Sequence, residues 1–107
     1  MPSHQQIDKR SLALAQVIAT KIDADPGKLA IDRARDRCAR WLRAAPCDDV
    51  NLWAELLLKP WPDIRTVLLD TSERGTRLRQ SSPFCDVISP RERWNLYRSF
   101  KHDSRTT

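Results

Sequence analysis

Apolar residues recur along this chain at helical rather than strand spacing, in five or six blocks separated by proline, serine and acidic clusters. Between Ile7 and about Ile22, the residues Leu14, Val17, Ile18 and Ile22 lie three or four positions apart, with Lys9, Arg10, Gln16 and Lys21 between them; this predicts a first helix. It is expected to stop near Asp23, because Asp25 before Pro26 supplies an N-cap and a first-turn proline for the next helix. That second helix, about Pro26 to Ala45, places Ile31, Ala34, Cys38, Trp41 and Ala45 at steps of 3, 4, 3 and 4, with Leu42 widening the stripe, so one face is expected to bury a large aromatic ring.

Pro46 ends the second block, and Asp48 or Asp49 is placed to cap a third helix from Val50 to about Lys59 with Trp53, Leu56 and Leu57 inward. Leu52 and Leu58 make it apolar on more than one side, which fits a central helix or one whose second face meets another chain. The segment KPWPDIRTVLLD predicts a tight connection and a short helix from Pro62 to about Leu69, burying Ile64, Val67 and Leu68. Trp61, between two prolines, reads as a core plug or a lid over a helix end.

Asp70 can cap the turn at Thr71, Ser72 and Glu73, after which a short helix carries Arg74, Arg77 and Leu78 and breaks at Ser81, Ser82 and Pro83. Gly75 weakens that helix by about 1 kcal/mol relative to alanine. The loop PFCDVI is apolar enough to tuck Phe84 and Val87 or Ile88 into the core. Ser89, Pro90 and Glu92 then supply the N-cap, first turn and N3 of a capping box that starts the last helix. Trp94, Tyr97 and Phe100 follow at every third residue as one aromatic strip, with Trp94 expected in the core.

The predicted fold class is therefore all-α: a compact single-domain bundle of five to six short helices. At 107 residues there is room for one core and not two, and 40% hydrophobic content with only two glycines favours helices over a turn-rich β fold. Residues 1–107 read as a single helical domain, with 1–6 and 101–107 expected to be flexible.

Charge adds a segmentation that the net value of +5 hides. Residues 28–45 carry six basic and two acidic groups, residues 46–73 carry two basic and six acidic, and residues 74–107 carry eight basic and three acidic. A protein that only coats nucleic acid gains nothing from the acidic middle. The alternation fits either neutralisation within the fold or a segmented surface for a protein partner.

Candidate chemistry is sparse. The three cysteines, Cys38, Cys47 and Cys85, form no short pair, and His4 and His102 sit near the two ends, which argues against a zinc site, a disulfide scaffold and a histidine-based catalytic group. Cys38 falls on the apolar stripe of the second helix and reads as a small core residue. Gly27 and Gly75 are isolated, so no phosphate-cradling loop is present. The diacid pairs at 23/25 and 48/49 are explained by capping. No enzyme activity, metal or cofactor is expected. With no signal-peptide run and no stretch approaching about 20 apolar residues, the expectation is a cytoplasmic protein with no membrane partner.

Two sets of residues are left as binding candidates. Arg33, Arg37 and Arg40 share one face of the second helix with Asp32 and Asp36 beside them; they form either a solvated face with a local ladder from Asp32 through Asp36 to Arg40, or an arginine row for phosphate or carboxylate. Arg74, Arg77, Arg79, Gln80, Ser81 and Ser82 form a polar stretch with no structural duty evident from sequence, and are the candidate partner-binding patch. The chain reads as a non-enzymatic module that binds a protein partner. A DNA- or RNA-binding regulator, using these arginines together with Arg91, Arg93 and Arg98, is the alternative, although no helix-turn-helix spacing is present. A homodimer through the third helix or the aromatic strip is also open.

LRQSSPFCDVISPRERW, residues 78–94, resembles the C-terminal segment of a group of short, uncharacterised helical bacterial proteins associated with toxin–antitoxin pairs, and the likeness extends to the opening RSLALAQVIATKI, residues 10–22. The resemblance implies a small cytoplasmic protein that docks onto a companion toxin and neutralises it. It transfers no functional residue.

Overall fold

A computed structural model describes the backbone of residues 4–106 and the side chains of residues 9–99. Among the described residues there are six helices and no strand: α1 His4–Asp23, α2 Leu29–Ala44, α3 Asp48–Leu56, α4 Trp61–Leu68, α5 Glu73–Gln80 and α6 Pro90–Thr106. The all-α bundle expected from the hydrophobic periodicity is present. Of the ends expected to be flexible, 4–6 belong to α1 and 101–106 to α6, while 1–3 and 107 lie outside the described residues.

α1 is the organising helix, packing against α4, α5 and α6, while α2 and α3 form an antiparallel hairpin beside them. Its fully buried stripe is Ala15, Ile18, Ala19 and Ile22, rotated from the expected Leu14 and Val17, which pack at the edge. The alanines explain the rotation: a small side chain at the contact lets neighbouring helices approach α1 closely.

Trp53, fully buried, joins the hairpin to the rest. Its indole Nε1 donates to the carbonyl of Leu78 at 2.8 Å, and its ring meets Phe84 edge-on, with centroids 5.9 Å apart and an interplanar angle of 88°. The indole thus buries its area without stranding its one donor. Phe84 and Ile88 are buried as the apolar 83–88 loop predicted. Trp41 is only half-buried, so α2 contributes Ala30, Ile31, Ala34 and Cys38 to the core and no large aromatic. Burial pushes the Cys38 thiol pKa up, which keeps it protonated and inert.

Several helix starts differ from expectation. α2 begins at Leu29, three residues past Pro26, because Asp25 closes a turn instead: its Oδ1 accepts from the Gly27 amide at 3.1 Å and its Oδ2 from the Leu29 amide at 3.0 Å. Lys28 takes the left-handed conformation, φ 50°, to turn the chain into the helix. α3 starts at Asp48, with Cys47 at the N-cap making no side-chain bond; Asp48 and Asp49 sit within the first turn, where they favour the positive end of the helix dipole rather than cap it. At the start of α6 the capping box forms as read: the Ser89 amide donates to Glu92 Oε1 at 3.2 Å and the Glu92 amide to Ser89 Oγ at 3.1 Å.

Trp61 closes the C-terminal end of α1 as a lid. Its Nε1 donates to Asp23 Oδ1 at 2.7 Å, and Arg65 Nε reaches Asp23 Oδ2 at 3.1 Å. Asp23 is therefore a tie between α1 and α4 rather than a cap. The Trp61 hydrogen bond, then Arg65, hold its carboxyl below the usual range against the opposing effect of desolvation.

Candidate functional site

The arginine row of α2 is largely taken up inside the fold. Arg33 Nε lies 2.7 Å from Asp86 Oδ2, and Arg37 Nη1 lies 3.0 Å from Asp86 Oδ1 and 2.7 Å from the Pro83 carbonyl. Both therefore clamp the 83–88 loop onto α2. Burial alone raises the Asp86 carboxyl, and the two arginines overcome it and hold the pKa below the ordinary value. Arg40 stays exposed and shares a shallow cleft with Arg33, Arg37 and Arg43. The expected ladder through Asp36 to Arg40 is replaced by Asp32 with Arg35 at 3.4 Å. Arg35 also donates through Nε to the Leu57 carbonyl at 2.8 Å, capping the end of α3.

The candidate patch on α5 divides. Arg74, Arg77 and Gln80 are exposed and line one outward surface together. Arg77 leans toward Asp49, 3.4 Å away. Arg79 does not belong to this surface: it is 9% exposed. Its guanidinium donates to the carbonyls of Leu68 and Asp70 and to the hydroxyls of Ser11 and Thr76. The reason is helical register, since Gly75, Leu78 and Arg79 occupy the inward positions i, i+3 and i+4. Arg79 thus has the structural duty that the sequence did not reveal. Ser81 is the half-buried C-cap of α5, and Ser82 Oγ accepts from the Phe84 amide at 3.3 Å, so both serve the turn leading to the core loop.

Gly75 is needed where it stands. A Cβ at that position would overlap the Asp70 carbonyl oxygen and lie 2.6 Å from the Asp70 Cβ. Ser72 caps the same turn, accepting from the Gly75 amide at 3.3 Å, while Asp70 Oδ1 accepts from the Ser72 amide at 2.8 Å.

Behind α5 lies a groove of about 460 Å³ that no single sequence segment suggested. α1 contributes Leu14, Ala15 and Ile18 to an apolar floor completed by Leu68; Arg10, Ser11, Arg79, Gln80, Ser82, Cys85, Arg93 and Tyr97 complete the lining. The Arg10 guanidinium sits over the Tyr97 ring, 5.6 Å from its centroid. Arg93 Nη2 donates to the Cys85 carbonyl at 3.3 Å. The Nε atoms of Arg10 and Arg93 are buried and have no hydrogen-bond partner. Among the described residues the lining holds no carboxylate. Gln80 belongs to both this groove and the outward face of α5. Sequence reading passed over Arg10 and Tyr97; the available signal was Arg93 and Tyr97 four residues apart on α6, with Arg10 and Leu14 four apart on α1.

A second exposed surface is the outer face of α6. Trp94, expected in the core, is 63% exposed. Arg91 and Arg98, three residues before and four after it, are exposed on the same helix face. Tyr97 packs under Arg10 instead of continuing the strip, and the Phe100 side chain lies outside the described residues.

Among the described residues no three His, Cys, Asp or Glu side chains gather to hold a metal, and no helix is long and apolar enough to cross a membrane. The fold and its surfaces define a small all-α bundle with a basic groove and an aromatic–arginine face. No known protein family, curated protein or solved structure matches this chain, so the candidate surfaces rest on their geometry.

Proposed function

We propose that this chain is a non-enzymatic protein-binding module, an antitoxin-like cytoplasmic protein that docks on a companion toxin and neutralises it without a cofactor. The observation that carries the reading is the Arg91–Trp94–Arg98 face of α6, where a tryptophan 63% exposed is flanked by two exposed arginines. Trp and Arg are the residue types most enriched among interface anchors, and an indole left in water at this exposure gains about 2 kcal/mol or more when a partner covers it. Leu58, 77% exposed at the end of α3, adds a second apolar point. Arg74, Arg77 and Gln80 supply polar contacts on a neighbouring helix.

The test is co-expression with the product of the adjacent gene. Co-purification and relief of that product's toxicity, both lost with Trp94→Ala, are expected. A chain that neither binds nor protects against its neighbour refutes the proposal.

A nucleic-acid reading is favoured by one observation: Arg40 and Arg43 stand exposed in one cleft and have no ion-pair partner among the described residues. Fluorescence titration with a generic duplex decides it, because the electrostatic attraction is strongest at low salt and failure to bind there ends that reading.

A further inference from the structure

We infer that this chain associates with a second copy of itself, the basic outer face of α6 on one copy docking on the acidic outer face of α3 on the other. The α6 face is a helical stripe: Arg91, Trp94, Asn95 and Arg98 are all exposed, at the spacing that brings side chains to one side of a helix. The α3 face is its counterpart. Asp48, Asn51 and Glu55, at steps of 3 and 4, are exposed along the helix, and Leu58 stands 77% exposed just past its end.

The two stripes match in spacing as well as in sign. Arg91 and Arg98 are seven residues apart, as are Asp48 and Glu55, so each like-charged pair is separated by about 10 Å along its helix axis. A register that brings one arginine to one acid therefore brings the second pair together too, whichever way the helices run. None of these four residues makes an ion pair among the described residues. Their charged neighbours are already engaged within the fold, Glu92 with Lys21 and Asp49 with Arg77. The charges left on the two stripes are thus the ones a second copy can neutralise.

Apolar surface lies between the charges. With Arg91 and Arg98 opposite Asp48 and Glu55, Trp94 comes level with Asn51 or with the half-buried Leu52, according to helix direction. Its indole, 63% exposed in the single chain, is then covered by α3 of the other copy. Two stripes of two to three helical turns bury less than the roughly 800 Å² per partner of a standard interface, and the net charge of +5 opposes self-association, so a Kd of about 10–500 µM is expected. Because unlike faces meet, the contact is heterologous, and each copy keeps a second stripe on which a further copy can dock. The inference does not rest on the protein-binding proposal, since it concerns this chain alone. The two share the Trp94 face, so a partner seated there displaces the second copy.

The experiment is sedimentation equilibrium of the full chain from about 10 µM to about 1 mM, in about 50 mM and about 500 mM sodium chloride. The average mass is expected to rise with concentration at low salt and to return toward the monomer at high salt, as screening removes the paired charges. Trp94→Ala is expected to weaken association about tenfold. Two double charge reversals, Arg91→Glu with Arg98→Glu and Asp48→Lys with Glu55→Lys, are each expected to be monomeric alone, because like charges then face each other. Mixed in equal amounts, the two variants are expected to associate again, since each keeps the native stripe that the other has lost. If a reversal loses its helical circular dichroism, Arg91→Gln with Arg98→Gln and Asp48→Asn with Glu55→Gln take their place, with about tenfold weakening alone and recovery on mixing. A chain that stays monomeric up to about 1 mM at low salt overturns the inference and leaves the stripes to partners of another kind. So does self-association that persists at high salt, survives either charge reversal alone, is untouched by Trp94→Ala, or fails to return on mixing.

Discussion

Replacing Gly75 with alanine sets two effects of opposite sign against each other. Helix propensity alone makes the variant more stable by about 1 kcal/mol, because an alanine in a helix interior loses less backbone entropy than glycine. The structure reverses this. The added Cβ would overlap the Asp70 carbonyl oxygen and sit 2.6 Å from the Asp70 Cβ, and two of its three nearest neighbours are backbone atoms that no rotamer change can move. Relief requires the 70–72 turn to shift away from α5. That turn carries the Asp70 carbonyl to which Arg79 donates and the Asp70 carboxylate that accepts from the Ser72 amide. Overpacking costs about 1–3 kcal/mol and loosening a charge-assisted hydrogen bond about 1.5–3 kcal/mol, so the net expectation after the propensity gain of about 1 kcal/mol is a loss of about 1.5–5 kcal/mol. For a domain of this size that lowers Tm by about 7–22 °C. Urea unfolding followed by circular dichroism at 222 nm measures it, with the midpoint expected to fall at unchanged slope. A Gly75→Ala variant as stable as the parent refutes the close approach of Asp70 to α5.

Three further substitutions test other parts of the structure. Arg79→Met, which keeps an apolar stem but removes every donor, is expected to destabilise by about 3–5 kcal/mol in the same unfolding assay, because the carbonyls of Leu68 and Asp70 lose charge-assisted partners; a loss below about 1 kcal/mol contradicts its buried role. Asp86, Asp23, Asp70 and Glu92 are all held below their ordinary pKa values, so the stability they contribute is present above the unfolded-state values near pH 4 and is lost as the pH falls through the lower folded-state values. Asp86→Asn is expected to lower stability at pH 7 and to make the acid limb shallower than that of the parent; parallel acid limbs would show that the Arg33–Asp86–Arg37 clamp contributes nothing. Trp94→Ala is expected to leave unfolding within about 0.5 kcal/mol of the parent while abolishing co-purification of the protein partner; a large destabilisation would place the indole in the core after all.

The readable parts of the fold were those decided over a few residues. Ser89 and Glu92 sit three apart, and their reciprocal bonds need no information from elsewhere in the chain. Phe84 and Ile88 were legible because an apolar loop between two polar stretches has only the core to enter. Arg79 was misread because the sequence presents it as one more arginine after Arg74 and Arg77. Its burial follows from the register of Gly75, Leu78 and Arg79, and the glycine taken as a weakness is what lets α5 approach the turn whose carbonyls receive the guanidinium. Trp94 failed for the opposite reason. An aromatic every third residue suggests one buried strip, yet a helix turns 100° per residue, so three such positions spread around the axis and α1 covers only part of that arc. The groove was illegible for a different reason, since its walls come from residues about as far apart in sequence as Arg10 and Arg93, and local spacing does not bring them together.

The alternation of charge along the chain can now be assigned. Self-neutralisation accounts for part of it: the basic stretch 28–45 finds its long-range partner at Asp86, inside the other basic stretch, while Arg77 pairs with Asp49 and Arg79 and Arg74 act electrostatically on Asp70 in the acidic middle. Asp48, Glu55, Asp63 and Glu73 remain exposed without an ion pair among the described residues. The exposed surface therefore keeps both signs of charge, carboxylates on α3 and α4 and arginines on α2, α5 and α6. A polyphosphate chain gains from only one of them and is repelled by the other wherever they adjoin, whereas a protein can present carboxylates to α6 and basic groups to α3 and α4. Charge of both signs gives a protein contact an orientation as well as an affinity. A neutralising protein needs that orientation, since covering its partner in the wrong pose leaves the partner active.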